Sequence, residues 1–192
     1  YVLAYYSRGN AYREKKDYDR AIEDYNAALR IDTNNAPVKS NLVAAYYNRG
    51  NAYYNKEDYD RAIADYTAVL RIDPNYAAAY NNRGLAYYNK NDYDHALEDY
   101  NKAIGLKPSA SRYYNRGNVY YNKEDYDRAI ADYTAALRID PNYAAAYYRR
   151  GNAYYMKADY QRAIADYTQA LKLNPNHADA KKWLEEARKR VR

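Results

Sequence analysis

Cysteine and phenylalanine are absent from this chain of 192 residues, and methionine and tryptophan occur once each. Without cysteine there is no disulfide, no thiolate metal ligand and no thiol nucleophile. The two histidines, His95 and His177, have no second His or Cys at metal-ligand spacing, so neither a metal site nor a cofactor is expected. The 6 glycines are singletons rather than a phosphate-binding loop. No apolar run approaches the roughly 18 residues of a membrane span. No signal peptide is visible, and the sequence starts at Tyr1 rather than Met, which leaves room for an upstream segment.

What fills the space is tyrosine, which occurs 31 times. The apolar fraction is therefore largely Ala and Tyr, and mean hydropathy falls to −1.03. So many hydroxyls need outlets, which suits thin layers with accessible edges better than a thick globule. The net charge is +6, half of it in the last stretch, where Lys181, Lys182, Arg188, Lys189, Arg190 and Arg192 outnumber three acids. Elsewhere opposite signs alternate as on solvated helix faces, so a solubilising tail is the simpler reading and nucleic acid is not an expected partner.

The pair Arg-Gly recurs at Arg8-Gly9, Arg49-Gly50, Arg83-Gly84, Arg116-Gly117 and Arg150-Gly151, with spacings of 41, 34, 33 and 34. The stretch Tyr46–Tyr76 is nearly repeated at Tyr113–Tyr143. A period near 34 marks a helical-hairpin array in which each unit buries its apolar face only against its neighbours. Apolar residues at three- and four-residue spacing predict a first and a second helix per unit. Asp17, Asp58, Asp92, Asp125 and Asp159 stand where second helices begin and read as N-caps. The turns before them use Lys16, Glu57, Asn91, Glu124 and Ala158 where a positive φ would favour Gly. Each Arg before the Gly has an Asp sixteen residues later, as in Arg49 and Asp65 or Arg116 and Asp132; these predict ion pairs within each unit. The glycines fall in mid-helix, where they cost about 1 kcal/mol relative to Ala, so close helix approach is the expected reason for them.

Within each unit the residues resemble the tetratricopeptide repeat (TPR) family: in one unit Tyr46, Gly50, Tyr53, Ala62, Tyr66, Val69 and Pro74, in another Tyr113, Gly117, Tyr120, Ala129, Tyr133, Ala136 and Pro141. The chain departs from the pattern with Thr33 for the closing Pro and with Arg before every Gly. The resemblance implies an all-α, right-handed α-solenoid of antiparallel helical hairpins, the TPR superhelix. The expected organisation is a single TPR domain over 1–192, with repeats at about 2–35, 43–76, 77–109, 110–143 and 144–177 and a capping helix at 178–191. The first spacing is seven residues too long, and the surplus material, around 36–43, carries Pro37 where a helix could start; seven residues are nearly two turns, so an extended helix is expected there. The third spacing predicts a tightened loop at Gly105–Ser111. The cap presents Ala178, Trp183, Leu184, Ala187 and Val191 as its apolar side.

The resemblance further implies that first helices line a concave groove, with contacts at fixed places around the Gly. Three before it stand Tyr47, Asn81, Tyr114 and Tyr148, and two before it Asn48, Asn82, Asn115 and Arg149. One after it stand Asn51, Leu85, Asn118 and Asn152, and four and five after it Tyr54-Asn55, Tyr88-Asn89 and Tyr121-Asn122. Asn amides and Tyr faces suit the backbone of an extended peptide. The chain also resembles TPR modules that clamp a chaperone's C-terminal carboxylate, but Tyr47 and Ser111 stand where those have basic residues. The expected function is a non-enzymatic scaffold for a protein or peptide ligand. The alternative is a self-assembling array, joined through the uncovered N-terminal edge at Tyr1–Tyr6, or a designed scaffold with no specific ligand.

Overall fold

The computed structural model describes residues 1–191, and eleven helices with no strand occur among them. They are α1 (Val2–Glu14), α2 (Tyr18–Ile31), α3 (Ala36–Asn55), α4 (Tyr59–Ile72), α5 (Ala77–Asn89), α6 (Tyr93–Leu106), α7 (Ala110–Asn122), α8 (Tyr126–Ile139), α9 (Ala144–Met156), α10 (Tyr160–Leu173) and α11 (Ala178–Val191). They form consecutive packed pairs, and their number fits five TPR hairpins and one further helix. The chain divides into two compact units, Tyr1–Asp92 and Tyr93–Arg192, with the division in the turn between α5 and α6.

In the first unit α1 packs on α2, α2 on α3, α3 on α4 and α4 on α5; in the second the same succession runs from α6 to α11. The cores are thin, as a Tyr- and Ala-rich chain requires. Tyr25, Tyr66, Tyr100, Tyr133 and Tyr167 are the largest fully buried side chains, packed among alanines such as Ala21, Ala62 and Ala129. The rings of Tyr25, Tyr66, Tyr133 and Tyr167 each lie where a first-helix glycine, Gly9, Gly50, Gly117 or Gly151, leaves room. A methyl group added to Gly117 would come within 2.7 Å of the Tyr133 ring, and one on Gly50 within 2.9 Å of Tyr66. The mid-helix glycines therefore offset their propensity cost by admitting an aromatic ring against the backbone.

Second helices start as expected: Asp17, Asp58, Asp125 and Asp159 each accept from the backbone N–H three residues on. The turns before them place Lys16, Glu57, Asn91, Glu124 and Ala158 at φ of 59–60°. Only asparagine among these tolerates the left-handed region well, so four of the five turns carry backbone strain. The surplus residues after the first repeat form one continuous 20-residue helix, α3, capped by Asn35, whose side chain accepts from the Val38 N–H, with Pro in its first turn. The short junction closes through Ser109, which caps α7 by accepting from the Arg112 N–H. At the last helix, Ala180, Leu184 and Ala187 are buried while Val191 is 44% exposed, so the covered stripe of α11 runs through Ala180 rather than Ala178 and Val191. His177 caps this helix by accepting from the Ala180 N–H through Nδ1 at 3.3 Å.

Candidate functional site

Two sets of bonds fix the orientation of every first helix that can be followed within a unit. The arginine before the glycine forms a bidentate pair with the buried aspartate sixteen residues on: Arg8 with Asp24, Arg49 with Asp65, Arg116 with Asp132 and Arg150 with Asp166, all at 2.6–2.8 Å. The guanidinium also lies over tyrosine rings, as Arg116 does over Tyr113 and Tyr120 at 5.6 and 5.9 Å. Hydrogen bonding to Asp132 holds the Arg116 pKa above its ordinary value, while burial pushes the Asp166 carboxyl upward despite Arg150. These arginines are structural, as their spacing predicted.

The second set was not visible in the sequence. The asparagine after the glycine accepts, through Oδ1, the hydroxyl of the buried tyrosine fifteen residues on: Asn10 from Tyr25, Asn51 from Tyr66, Asn118 from Tyr133 and Asn152 from Tyr167, at 2.7–2.8 Å. Burial pushes the Tyr66 and Tyr167 hydroxyls far above the ordinary tyrosine pKa, so these groups stay protonated donors. The tie determines which way each amide faces: the oxygen is turned to the core, and the Nδ2 group takes the opposite arm.

In the first unit the candidate residues of α3 and α5 come together. Asn82 donates to the Tyr47 hydroxyl at 2.9 Å and to Asn51 at 3.0 Å, Asn81 donates to Asn82 at 3.0 Å, and Asn89 donates to the Tyr54 hydroxyl at 2.8 Å. A cavity of about 330 Å³ is lined by Asn51, Tyr54, Asn55, Tyr66, Asn82 and Leu85. Tyr47 is not simply ligand-facing, because its ring packs on Tyr66 at 5.9 Å and on Tyr76 at 5.3 Å. Tyr88 is half-buried on α5. Asn48 is exposed and lies apart from this cavity, in a larger cleft against the α1–α2 turn.

In the second unit Tyr114 packs on Tyr133 and Tyr143, Tyr121 meets Tyr126 edge-on, and Tyr148 lies between Tyr167 and His177 at 6.1 and 4.5 Å. Asn118 and Asn152 are the core-tied amides, Asn115 is half-buried, and exposed Asn122 donates to the Tyr93 hydroxyl at 3.4 Å. Arg149 takes the place that Asn82 holds in the first unit; burial pushes the Tyr121 hydroxyl above its ordinary pKa, and the Arg149 charge opposes that rise only in part. One participant was missed. Asn41, in the surplus stretch of α3, donates to the Tyr6 hydroxyl at 3.0 Å and to Asn10 at 2.7 Å. Counting the 34-residue period from Ser7 through the insertion lands on it.

Among the described residues no cluster of His, Cys, Asp or Glu could hold a metal ion, and no helix is long and apolar enough to cross a membrane. No curated protein matches the chain. Solved structures do. A crystal structure of MamA protein is 28% identical, with a TM-score of 0.72, covering 93% of this chain and 94% of that one. The TPR domain of Arabidopsis OM64 is 32% identical with a TM-score of 0.58, over 59% of this chain and 94% of its own. The first TPR of Spaghetti (RPAP3), solved bound to the HSP90 peptide SRMEEVD, is 27% identical with a TM-score of 0.59, over 60% of this chain and 92% of its own. Family models described as tetratricopeptide repeat match residues 2–35, 47–111 and 144–177, and one described as TPR repeat matches 117–158. With helices paired at the repeat period, a glycine under each of Tyr25, Tyr66, Tyr133 and Tyr167, and models of one family matching most of its length, the chain belongs to the tetratricopeptide repeat family.

Proposed function

We propose that the chain is a non-catalytic protein-interaction scaffold whose first helices hold an extended peptide segment through asparagine amides and tyrosine side chains. The observation that carries this is the first-unit cavity of about 330 Å³, walled by Asn51, Tyr54, Asn55, Asn82 and Leu85. Its volume lies at the lower end of ligand pockets, roughly 300–1,000 Å³. The Tyr66 hydroxyl fixes the Asn51 oxygen from behind, so the amide is pre-oriented and loses little entropy on meeting a peptide carbonyl. Asn55 is exposed and offers both donor and acceptor. Neighbouring helix axes lie roughly 8–10 Å apart and an extended chain advances about 3.3–3.6 Å per residue, so one amide per repeat meets about every third ligand residue. A similar TPR, the first of RPAP3, is known with a peptide bound, which supports the class of ligand. With Tyr47 and Ser111 at the clamp positions, a chaperone tail held by its terminal carboxylate fits less well than an internal segment.

The test pans random displayed peptides on the protein and titrates selected uncharged ones against Tyr54→Ala with Leu85→Ala. About tenfold weaker binding with unchanged helical circular dichroism is expected; equal affinity would overturn the reading. Self-association is the second reading, favoured by Tyr1 and Leu3, which are 99% and 73% exposed on the N-terminal edge. Light scattering in the same samples separates the two, since a peptide-binding monomer keeps one mass as concentration rises.

A further inference from the structure

Helix α3 serves two repeats in two registers. Its first part docks on the first repeat at the ordinary period: Asn41 stands to Tyr6 and Asn10 as Asn82 stands to Tyr47 and Asn51. Arg49 reaches Asp19, thirty residues back, at 2.6 Å, as Lys90 reaches Asp60 and Lys157 reaches Asp127. Its last part pairs with α4 at the within-repeat spacing, through Arg49 to Asp65 and Asn51 to Tyr66. Seven residues separate the registers, which is about 10 Å of helix. The end of α3 therefore runs past the α1–α2 turn instead of stopping beside it. At the opposite end its start overhangs the α4–α5 loop, leaving a cleft of about 340 Å³ at Lys39, Val43 and Tyr76.

The overhang at the α1–α2 turn borders a cleft of about 700 Å³, between Lys15–Asp19 and Asn48–Lys56. Its charges are unequal in availability. Asp17 is held by Arg20, and Asp19 by Arg49, which also holds Asp65. Lys15, Lys16 and Lys56 are exposed and make no ion pair among the described residues, and Asn48 and Asn55 add exposed amides beside the Tyr53 ring. The cleft shares Asn51 and Asn55 with the cavity of about 330 Å³ between the first helices, so one extended chain can pass from one into the other.

We propose that this cleft binds an acidic stretch of the peptide ligand, its side-chain carboxylates meeting Lys15, Lys16 and Lys56, adjacent to the uncharged segment held by the groove. The inference rests on the peptide-binding reading and adds the charge of the ligand. A peptide is favoured over nucleic acid because Asp17 and Asp19 form one wall, which interrupts the run of positive charge that a phosphate backbone would follow.

The test measures fluorescence anisotropy of a short labelled peptide alternating Glu with Ala, amidated at its C-terminus to remove the terminal carboxylate, with labelled oligothymidylate in parallel. Two variants are compared with the parent: Lys15→Glu with Lys56→Glu, and deletion of residues 39–45, which restores the 34-residue spacing. Binding of the acidic peptide is expected to fall about tenfold in both and to weaken with salt. An uncharged peptide selected on the groove should bind the charge-reversed variant as it binds the parent. Unaltered binding of the acidic peptide after charge reversal, or tighter binding of oligothymidylate than of that peptide, overturns the proposal. If instead Tyr54→Ala with Leu85→Ala leaves the uncharged peptide unaffected while charge reversal still weakens the acidic one, the groove reading fails and the cleft stands.

Discussion

Asn152 joins two layers with a single oxygen, taking the Tyr167 hydroxyl at 2.8 Å from a ring that is fully buried. Removing the asparagine leaves that hydroxyl in an apolar site without its acceptor, whereas removing both polar partners leaves nothing unsatisfied. Asn152→Ala should therefore destabilise the protein by about 1–3 kcal/mol in urea unfolding, and Tyr167→Phe made alone should cost less. The double variant should lie closer to Tyr167→Phe than to the sum of the two. Strict additivity would show that the bond carries no weight. The same dependence makes alanine at Asn51 or Asn118 a poor probe of ligand binding, because both hold a core tyrosine. The sequence made the arginine–aspartate pairs legible because two opposite charges recur at one spacing in every repeat. It did not reveal the asparagine–tyrosine bonds, since both residue types recur for several reasons and nothing in the spacing distinguishes a core-facing amide from a ligand-facing one.

At the scale of single elements, the turn between first and second helices is the least comfortable backbone in the molecule. Ala158 sits at φ 59°, where its Cβ crowds the carbonyl and a side-chain amide that could ease the conformation is lacking. Its neighbours are well tied, with the Asp159 N–H bonding Tyr154 O at 2.9 Å and its carboxylate capping α10, so the strain is local. Ala158→Gly should raise stability by about 0.5–1 kcal/mol, the relief of strain exceeding the added freedom of the unfolded chain. A thermal midpoint that falls would contradict this. Helix α3 illustrates what patterning can and cannot convey. Its continuity followed from an insertion of nearly two turns beginning at Pro37. Its division of labour, with Asn41 and Arg49 meeting the first repeat while Asn51 meets its own second helix, depends on packing offsets that only the assembled hairpins define.

Taken whole, the molecule is a tyrosine protein, and its response to alkali should show it. Tyrosine ordinarily loses its proton near pH 10.0, but burial and the neighbouring Tyr114 push Tyr143 up to about 12, and burial pushes Tyr66 and Tyr167 higher. Below pH 10 these groups are protonated whether the chain is folded or not, and stability does not depend on them. Above it the unfolded chain gives up protons that the folded chain retains, so stability falls as pH rises from 10 through about 12 and beyond. In an absorbance titration the buried rings of Tyr66 and Tyr167 should therefore ionise only as helical circular dichroism collapses. Because the buried rings fill the spaces left by the first-helix glycines, their ionisation and the loss of helix should coincide within each unit. Tyr143→Phe, which deletes one suppressed hydroxyl and keeps the ring against Tyr114, should move the collapse to higher pH. A smooth titration of all tyrosines near pH 10 with the helices intact would mean that the rings are not sealed in the thin cores described above.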